Sequence, residues 1–300
     1  MLAAAPIVAA LLLLLVRNPE RATLDDAART LARGAFVRLS GGVTHDEVAG
    51  PDTGRVALLV HGFSVPAYIW DSTSVALAAA GRRVIRYDLF GRGWSDRPNA
   101  AYDGPFYDAQ IRELLDSLRI SGSVDLFGLS FGGFVAPHFA ATHPECVRSL
   151  VLISPSPQPA TVPWFIAAPV IGPYLFQVLA VPGMAEGQTG DFLHPEQFPG
   201  WADKYRPQMR FRGFGRALRR SGLAQRSADF DAYYAAINGN GVPVLLVWGR
   251  QDPVLNISGA ETVRRGIPSV EFFPVDSAGH LPHMEQSALV HARIVAFLAR

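Results

Sequence analysis

Among the polar side chains of this sequence, Ser130 has the neighbours that most favour chemistry. It lies in Val124-Asp125-Leu126-Phe127-Gly128-Leu129-Ser130-Phe131-Gly132-Gly133, where an apolar, strand-like run breaks into G-x-S-x-G and then into a helix-like run. A serine hydroxyl attacks only when something aims it and something else takes its proton, and a sharp strand-to-helix turn does the aiming. Such a turn crowds its own flanks, so Gly128 and Gly132 are the residue types it needs, and Gly133 lets helix and sheet approach closely. The start of the following helix also favours negative charge developing there. Read alone, G-x-S-x-G is equally a plain Gly-Ser turn, so its context has to decide.

The context supplies partners. Val244-Leu245-Leu246-Val247-Trp248-Gly249 leads into Arg250-Gln251-Asp252-Pro253, and Val270-Glu271-Phe272-Phe273-Pro274 leads into Ala278-Gly279-His280. Upstream, Val56-Ala57-Leu58-Leu59-Val60 ends in His61-Gly62-Phe63, and Val84-Ile85-Arg86-Tyr87-Asp88 runs into Leu89-Phe90-Gly91-Arg92-Gly93-Trp94-Ser95. In an open parallel sheet reactive groups belong just past the carboxyl ends of the strands, which is where all of these fall. Ser130 is then the candidate nucleophile, His280 the base that takes its proton, and Asp252 the acid that orients the imidazole. His61 and His283 are the competing histidines; His283 reads as the start of a final helix that holds Glu285 and Leu289.

The elements that must position these groups follow from the pattern. Residues 23–34 read as a short amphipathic helix and residues 35–50 as a hairpin, after which strands and helices alternate through Ile153, the signature of βαβ units. Pro155, Pro157, Pro159, Pro163, Pro169 and Pro173 then break the pattern, which resumes at Val242. The expected division is an apolar N-terminal segment (1–22), a first core part (23–154), a lid or cap inserted over the strand ends (155–241) and a last core part (242–300). Trp164, Phe165, Ile166, Tyr174, Leu175, Phe176, Val178 and Leu179 give the cap an apolar wall suited to an acyl chain, with Trp164, Phe165, Tyr174 and Phe176 as substrate contacts. The alternative is that they form the cap's own core.

Together these stretches resemble the α/β-hydrolase fold family, of the esterase/lipase type close to monoacylglycerol lipases and related carboxylesterases. The resemblance rests on Val60-His61-Gly62-Phe63, on Asp88 through Asp96, on the Ser130 elbow, on Trp248-Gly249-Arg250-Gln251-Asp252 and on Gly279-His280-Leu281-Pro282-His283, and covers about residues 50 to 300. The order Ser130, Asp252, His280 is the family's order. The resemblance implies a mostly parallel sheet flanked by helices, cleavage of carboxylic esters through an acyl-enzyme on Ser130, and an oxyanion hole made by the backbone N–H groups of Phe63 and Phe131. The segment after Ile153, the fold's other place for the acid, has no carboxylate between Ser154 and Ala160, which favours Asp252. Serine at the elbow excludes the haloalkane dehalogenases and epoxide hydrolases of this fold, which use aspartate there. It leaves cofactor-free perhydrolases or haloperoxidases and carbon–carbon bond hydrolases, which share the triad, and a non-catalytic ligand receptor as the reading from another class.

With 300 residues, 49% hydrophobic and 18% charged, the chain can bury a substantial core, and one domain with an insertion is expected. A net charge of +1 argues against a nucleic-acid surface. No metal-ligand spacing or phosphate loop is found, so neither metal nor cofactor is expected. Cys146 is the only cysteine and reads as a packing residue. Leu2 to Val16 is an apolar run followed by Arg17 and Arg21. A full membrane span needs about 20 apolar residues, and a secretory signal would carry its basic residues first. The expectations are a membrane anchor with the body cytoplasmic by the positive-inside rule, an export signal, or a buried helix. Lys204, Arg206, Arg210, Arg212, Arg216, Arg219, Arg220 and Arg226 read as a solvated face with internal ion pairs, or as a surface that meets anionic lipid. The expected partners are a small-molecule or lipid ester and a membrane surface, with the oligomeric state unreadable.

Overall fold

A computed structural model describes residues 4–300 and contains one eight-stranded sheet. Its strands are β1 (Ala35–Leu39), β2 (Gly42–Ala49), β3 (Val56–Val60), β4 (Arg83–Tyr87), β5 (Val124–Leu129), β6 (Val147–Ile153), β7 (Val244–Gly249) and β8 (Glu271–Val275). They lie in the order β1-β2-β4-β3-β5-β6-β7-β8. β1 pairs with β2, and β2 with β4, antiparallel; every pairing from β4 to β8 is parallel. The expected hairpin is β1–β2, and the expected α/β-hydrolase fold is the one observed.

Runs such as Val-Ala-Leu-Leu-Val and Val-Leu-Leu-Val-Trp-Gly form strands here because both faces of a parallel sheet are covered, so apolar residues are needed on both. The period of two splits them. Leu58, Leu126, Leu150 and Leu246 join the core under the helices Gly104–Ser117, Gly132–Thr142 and Phe230–Gly239. Leu59, Phe127, Val151 and Leu245 join the core under Asp71–Ala79 and Ser287–Leu298. One strand residue therefore locks each face, and the strand ends are held rigidly.

No strand lies between β6 and β7, and two features of the structure bear on where the inserted segment and the N-terminal segment end. Helix Phe230–Gly239 packs on Gly132–Thr142 as a sheet-flanking helix, burying Phe230, Tyr234 and Ile237 in the main core. At the other end, residues 18–22 are tied into the cap. Glu20 caps the helix Phe214–Gln225 by accepting the N–H groups of Gly213 (2.5 Å) and Gly215 (2.8 Å), and Ala22 bridges Phe211. Only Asp26–Arg29 is α-helical in the expected helix over 23–34.

The N-terminal helix Ala4–Arg17 packs against the cap turn Phe176–Ala180, where the Tyr174 hydroxyl donates to the Ala10 carbonyl at 3.1 Å. No helix among the described residues is long and apolar enough to cross a membrane. Most of the cap arginines, Arg206, Arg210, Arg212, Arg216 and Arg226 among them, are exposed, and three reach main-chain carbonyls. Arg219 donates to the carbonyls of Ile166, Ala167 and Ala168, Arg216 to that of Arg97, and Arg220 to Asn99 and to the Ala100 carbonyl.

Candidate active site

β5 ends at Leu129, and Ser130 takes the left-handed backbone conformation at φ 52° that turns the chain straight into the helix Gly132–Thr142. A side chain at Gly128 would meet the Gly132 carbonyl at 2.4 Å, and one at Gly132 would meet the Val60 carbonyl at 2.5 Å. The two glycines are therefore required by contact, not only by flexibility. The elbow is tied to its neighbours: Ser130 N–H donates to the Ile153 carbonyl at 3.1 Å, and the Ser130 carbonyl accepts from Gly133 (2.7 Å) and Ser156 (2.9 Å). That leaves the hydroxyl, half-buried and without a hydrogen bond among the described residues, as the group the turn presents.

Beyond β7 and β8 the loops bring Asp252 and His280 together. Asp252 Oδ2 lies 2.8 Å from His280 Nδ1, and its other oxygen accepts the N–H groups of Val254 and Leu255, each at 2.8 Å. With a carboxylate as its only partner, Nδ1 carries the proton, which leaves the Nε2 lone pair as the basic site. Burial pulls the His280 pKa down, but the hydrogen bond and charge of Asp252 outweigh it and the net shift is upward. Ser130 and His280 line one cavity of about 170 Å³, without a hydrogen bond between them. Such bonds are often long in a free enzyme and tighten with substrate in place.

β3 and β5 are neighbours, so the loop after β3 lies against the elbow: a Cβ on Gly62 would stand 3.3 Å from that of Ser130. The strand order reverses direction at this point, where open sheets form their ligand crevice. The N–H groups of Phe63 and Phe131 have no acceptor among the described residues, and their rings meet edge to face with centroids 5.7 Å apart. His61 locks the loop. Its Nδ1 lies 2.8 Å from the Gly62 carbonyl and its Nε2 accepts the Leu89 N–H at 2.9 Å, and burial lowers its pKa to about 4, so it stays neutral. His283 faces the Ile69 carbonyl and is pushed down to about 3 by burial. Both competing histidines are thus built into the body.

The four expected substrate contacts do not line this cavity. Trp164 is 80% exposed, Phe165 borders solvent, Tyr174 is bonded to the N-terminal helix, and Phe176 packs at the edge of the second core. Of the whole expected wall only Val178 is fully buried. This part of the cap is turned toward the helix Ala4–Arg17 instead of toward Ser130, and the cap's buried aromatics come from later in the chain, among them Phe192, Trp201, Tyr205 and Phe214.

Four residues near the site carried no assignment in the sequence. Gln188 and Asp191 enter the cavity from the cap. Glu285 accepts from Gly279 N–H (2.6 Å) and Leu193 N–H (2.7 Å), stapling the His280 loop to the cap. Arg92, fully buried, donates to the Phe63 carbonyl at 2.8 Å and lies over the rings of Phe63, Tyr107 and Phe131. A charge between two glycines in an apolar stretch was its visible signal. No cluster of three or more metal-binding side chains exists among the described residues.

Comparison with known proteins adds the family. The chain is 31% identical over 260 residues to a dihydrolipoyllysine-residue acetyltransferase component of an acetoin cleaving system from Pseudomonas putida, covering 84% of this chain but only 65% of that one. An enol-lactonase from Burkholderia xenovorans LB400 superimposes with a TM-score of 0.77 at 19% identity, over 89% of this chain and 100% of its own. A thermophilic esterase from Thermogutta terrifontis gives 0.75 at 24%, over 89% and 98%. These two show a shared fold. A family model described as "Alpha/beta hydrolase family" matches residues 57–293. That match begins in β3 and ends in the last helix, taking in all the parallel strands and the loops that carry Ser130, Asp252 and His280, and the chain belongs to the alpha/beta hydrolase family.

Proposed function

We propose that the protein hydrolyses carboxylic esters through an acyl-enzyme on Ser130. The observation that carries this reading is the pair of unsatisfied N–H groups, Phe63 and Phe131, beside a serine whose cavity also holds a histidine polarised by a carboxylate. Ser130 attacks the acyl carbon, His280 takes its proton and returns it to the leaving alcohol, and Asp252 holds the tautomer and stabilises the imidazolium. The oxyanion that forms meets the two free N–H groups, an interaction worth about 100- to 1000-fold per donor. Water then replaces the alcohol and reverses the sequence.

The cavity favours short acyl groups. Its volume is about 170 Å³ and most of its lining is apolar. Turnover on ethyl esters of increasing chain length tests the reading: kcat/KM rises over the first few methylenes and then falls, because each buried methylene contributes about 0.8 kcal/mol only until the space is filled. Activity on peroxide or carbon–carbon substrates in preference to every ester would overturn it.

The site of work we place at a lipid surface. A helix that is apolar on all sides is normally covered, yet Ile7, Val8, Leu11, Leu12, Leu15 and Val16 are all more than half exposed. The cap stretch 164–179, which reaches this helix through Tyr174 and the turn Phe176–Ala180, adds exposed Trp164, Val170, Ile171 and Leu179, and Arg17 ends the helix. Apolar side chains with a basic margin suit the boundary of an anionic bilayer.

A further inference from the structure

The cap places two polar side chains in the cavity that holds Ser130 and His280. Gln188 and Asp191 are the first and last residues of one helical turn, and both line the cavity, opposite a largely apolar wall contributed by the body. The turn cannot drift. The Asp191 carbonyl accepts the His280 N–H at 2.9 Å, and two residues on, Leu193 N–H is held by Glu285.

The Asp191 carboxyl itself has no donor and no cation among the described residues, although the residue is half-buried and its charge is felt by His280 and Asp252. Burial, reinforced by Asp252 and opposed by His280, pushes its pKa up to about 6, so it is an anion in mildly alkaline solution. Gln188 adds to the same character: its amide nitrogen donates to the Met184 carbonyl at 2.9 Å, which leaves its carbonyl oxygen for the cavity. An unpaired carboxylate in a confined space is costly, and a ligand that brings its own donor relieves that cost.

We propose that Asp191, with Gln188 beside it, forms a polar subsite of the ester site that takes a hydrogen-bond-donating group of the substrate, a hydroxyl or an ammonium, and turns away substrates that carry a carboxylate. This rests on the ester-hydrolase reading. A hydroxyl gains a charge-assisted hydrogen bond, while a carboxylate meets a like charge at short range in a cavity that screens it poorly. The subsite therefore selects by both attraction and repulsion.

The test compares kcat/KM at pH 8 for ethyl butanoate, ethyl 3-hydroxybutanoate and monoethyl succinate, read as ratios within each protein so that any general loss cancels. In the wild type the hydroxy ester is preferred and the succinate monoester is the poorest. Asp191→Asn should raise the succinate-to-butanoate ratio by about tenfold or more and lower the hydroxybutanoate-to-butanoate ratio. Gln188→Glu, which adds a second carboxylate, should depress the succinate ratio further and decides the matter if Asp191→Asn does not fold. Ratios that stay constant in a folded variant overturn the subsite alone; a wild type that turns over none of the three esters overturns the ester reading and the subsite with it.

Discussion

Arg92 Nε donates to the Phe63 carbonyl at 2.8 Å, so the residue that offers a free N–H to the cavity is gripped from behind by a guanidinium with no carboxylate within 4 Å among the described residues. The same guanidinium donates to the Phe90 carbonyl and the Tyr107 hydroxyl, and lies over the rings of Phe63 and Phe131. One Nη2 is left without a partner. A fully buried, unpaired charge costs stability, which makes its placement a matter of geometry and field at the site.

Replacing it should therefore separate stability from activity. Arg92→Met, of similar length and uncharged, should lower kcat by about 10- to 100-fold in the protein that stays folded, beyond any change in Tm from the Phe63 and Phe90 carbonyls that lose their donor, since a small misplacement of one donor has effects of that order. A loss of Tm with unchanged kcat in the remaining folded protein would assign Arg92 to packing alone.

Asp252→Asn keeps the shape of the pair but reverses its polarity. An amide can present its NH₂ to Nδ1 and hold the imidazole in the wrong tautomer, so kcat should fall by about 10⁴, as for the same change in another triad. Near-normal turnover would show that a different group orients His280.

The pH dependence has two limbs of opposite sign. His280 must be neutral to act as base, and its pKa lies above the ordinary 6.5, so kcat/KM should fall as pH drops through a group titrating above 6.5. Raised histidines act on stability the other way. Their contribution is complete below the unfolded value and is lost as pH climbs through the folded one. For His45, burial alone would lower the pKa, but its hydrogen bond to Asp88 at 2.8 Å and that residue's charge raise it to about 9. Urea unfolding from pH 6 to 10 should thus show stability declining toward pH 9, and His45→Asn should flatten that decline.

The boundary at residue 17 decides how the membrane proposal is tested. A variant lacking residues 2–17 should lose binding to anionic phosphatidylglycerol vesicles in sedimentation yet keep activity on soluble short esters. Removing residues 1–22 should also damage the cap, because Glu20 and Ala22 go with them. Full-length protein that ignores vesicles would contradict the proposal.

Those residues whose surroundings are local in the chain were legible before the fold was known. Ser130 follows a buried strand and sits between glycines that the turn demands, while Asp252 and His280 each lie a few residues past an apolar run. The N–H groups proposed for the oxyanion, those of Phe63 and Phe131, are main-chain groups, so their positions after β3 and β5 could be read without regard to the side chains. The cap was not legible in the same way. Hydrophobicity marked Trp164, Phe165, Tyr174 and Phe176 as candidates for burial, but in a segment broken by prolines it cannot say which way a residue faces, and the packing of Ala4–Arg17 turned this one away. Asp191, Gln188 and Glu285 gain their meaning only from contacts across 90 residues or so of chain, as in the bond from Leu193 to Glu285.

The central claim is an acyl-enzyme on Ser130, and mass spectrometry of acid-quenched protein reads it directly. Wild type mixed with excess p-nitrophenyl butanoate and quenched within the first turnovers should gain one butanoyl group, mapped to the peptide that holds Ser130. Ser130→Ala should gain none and hydrolyse no ester, with Tm nearly unchanged because only one hydroxyl is lost. An adduct on another residue, or steady hydrolysis by folded Ser130→Ala, would contradict the account.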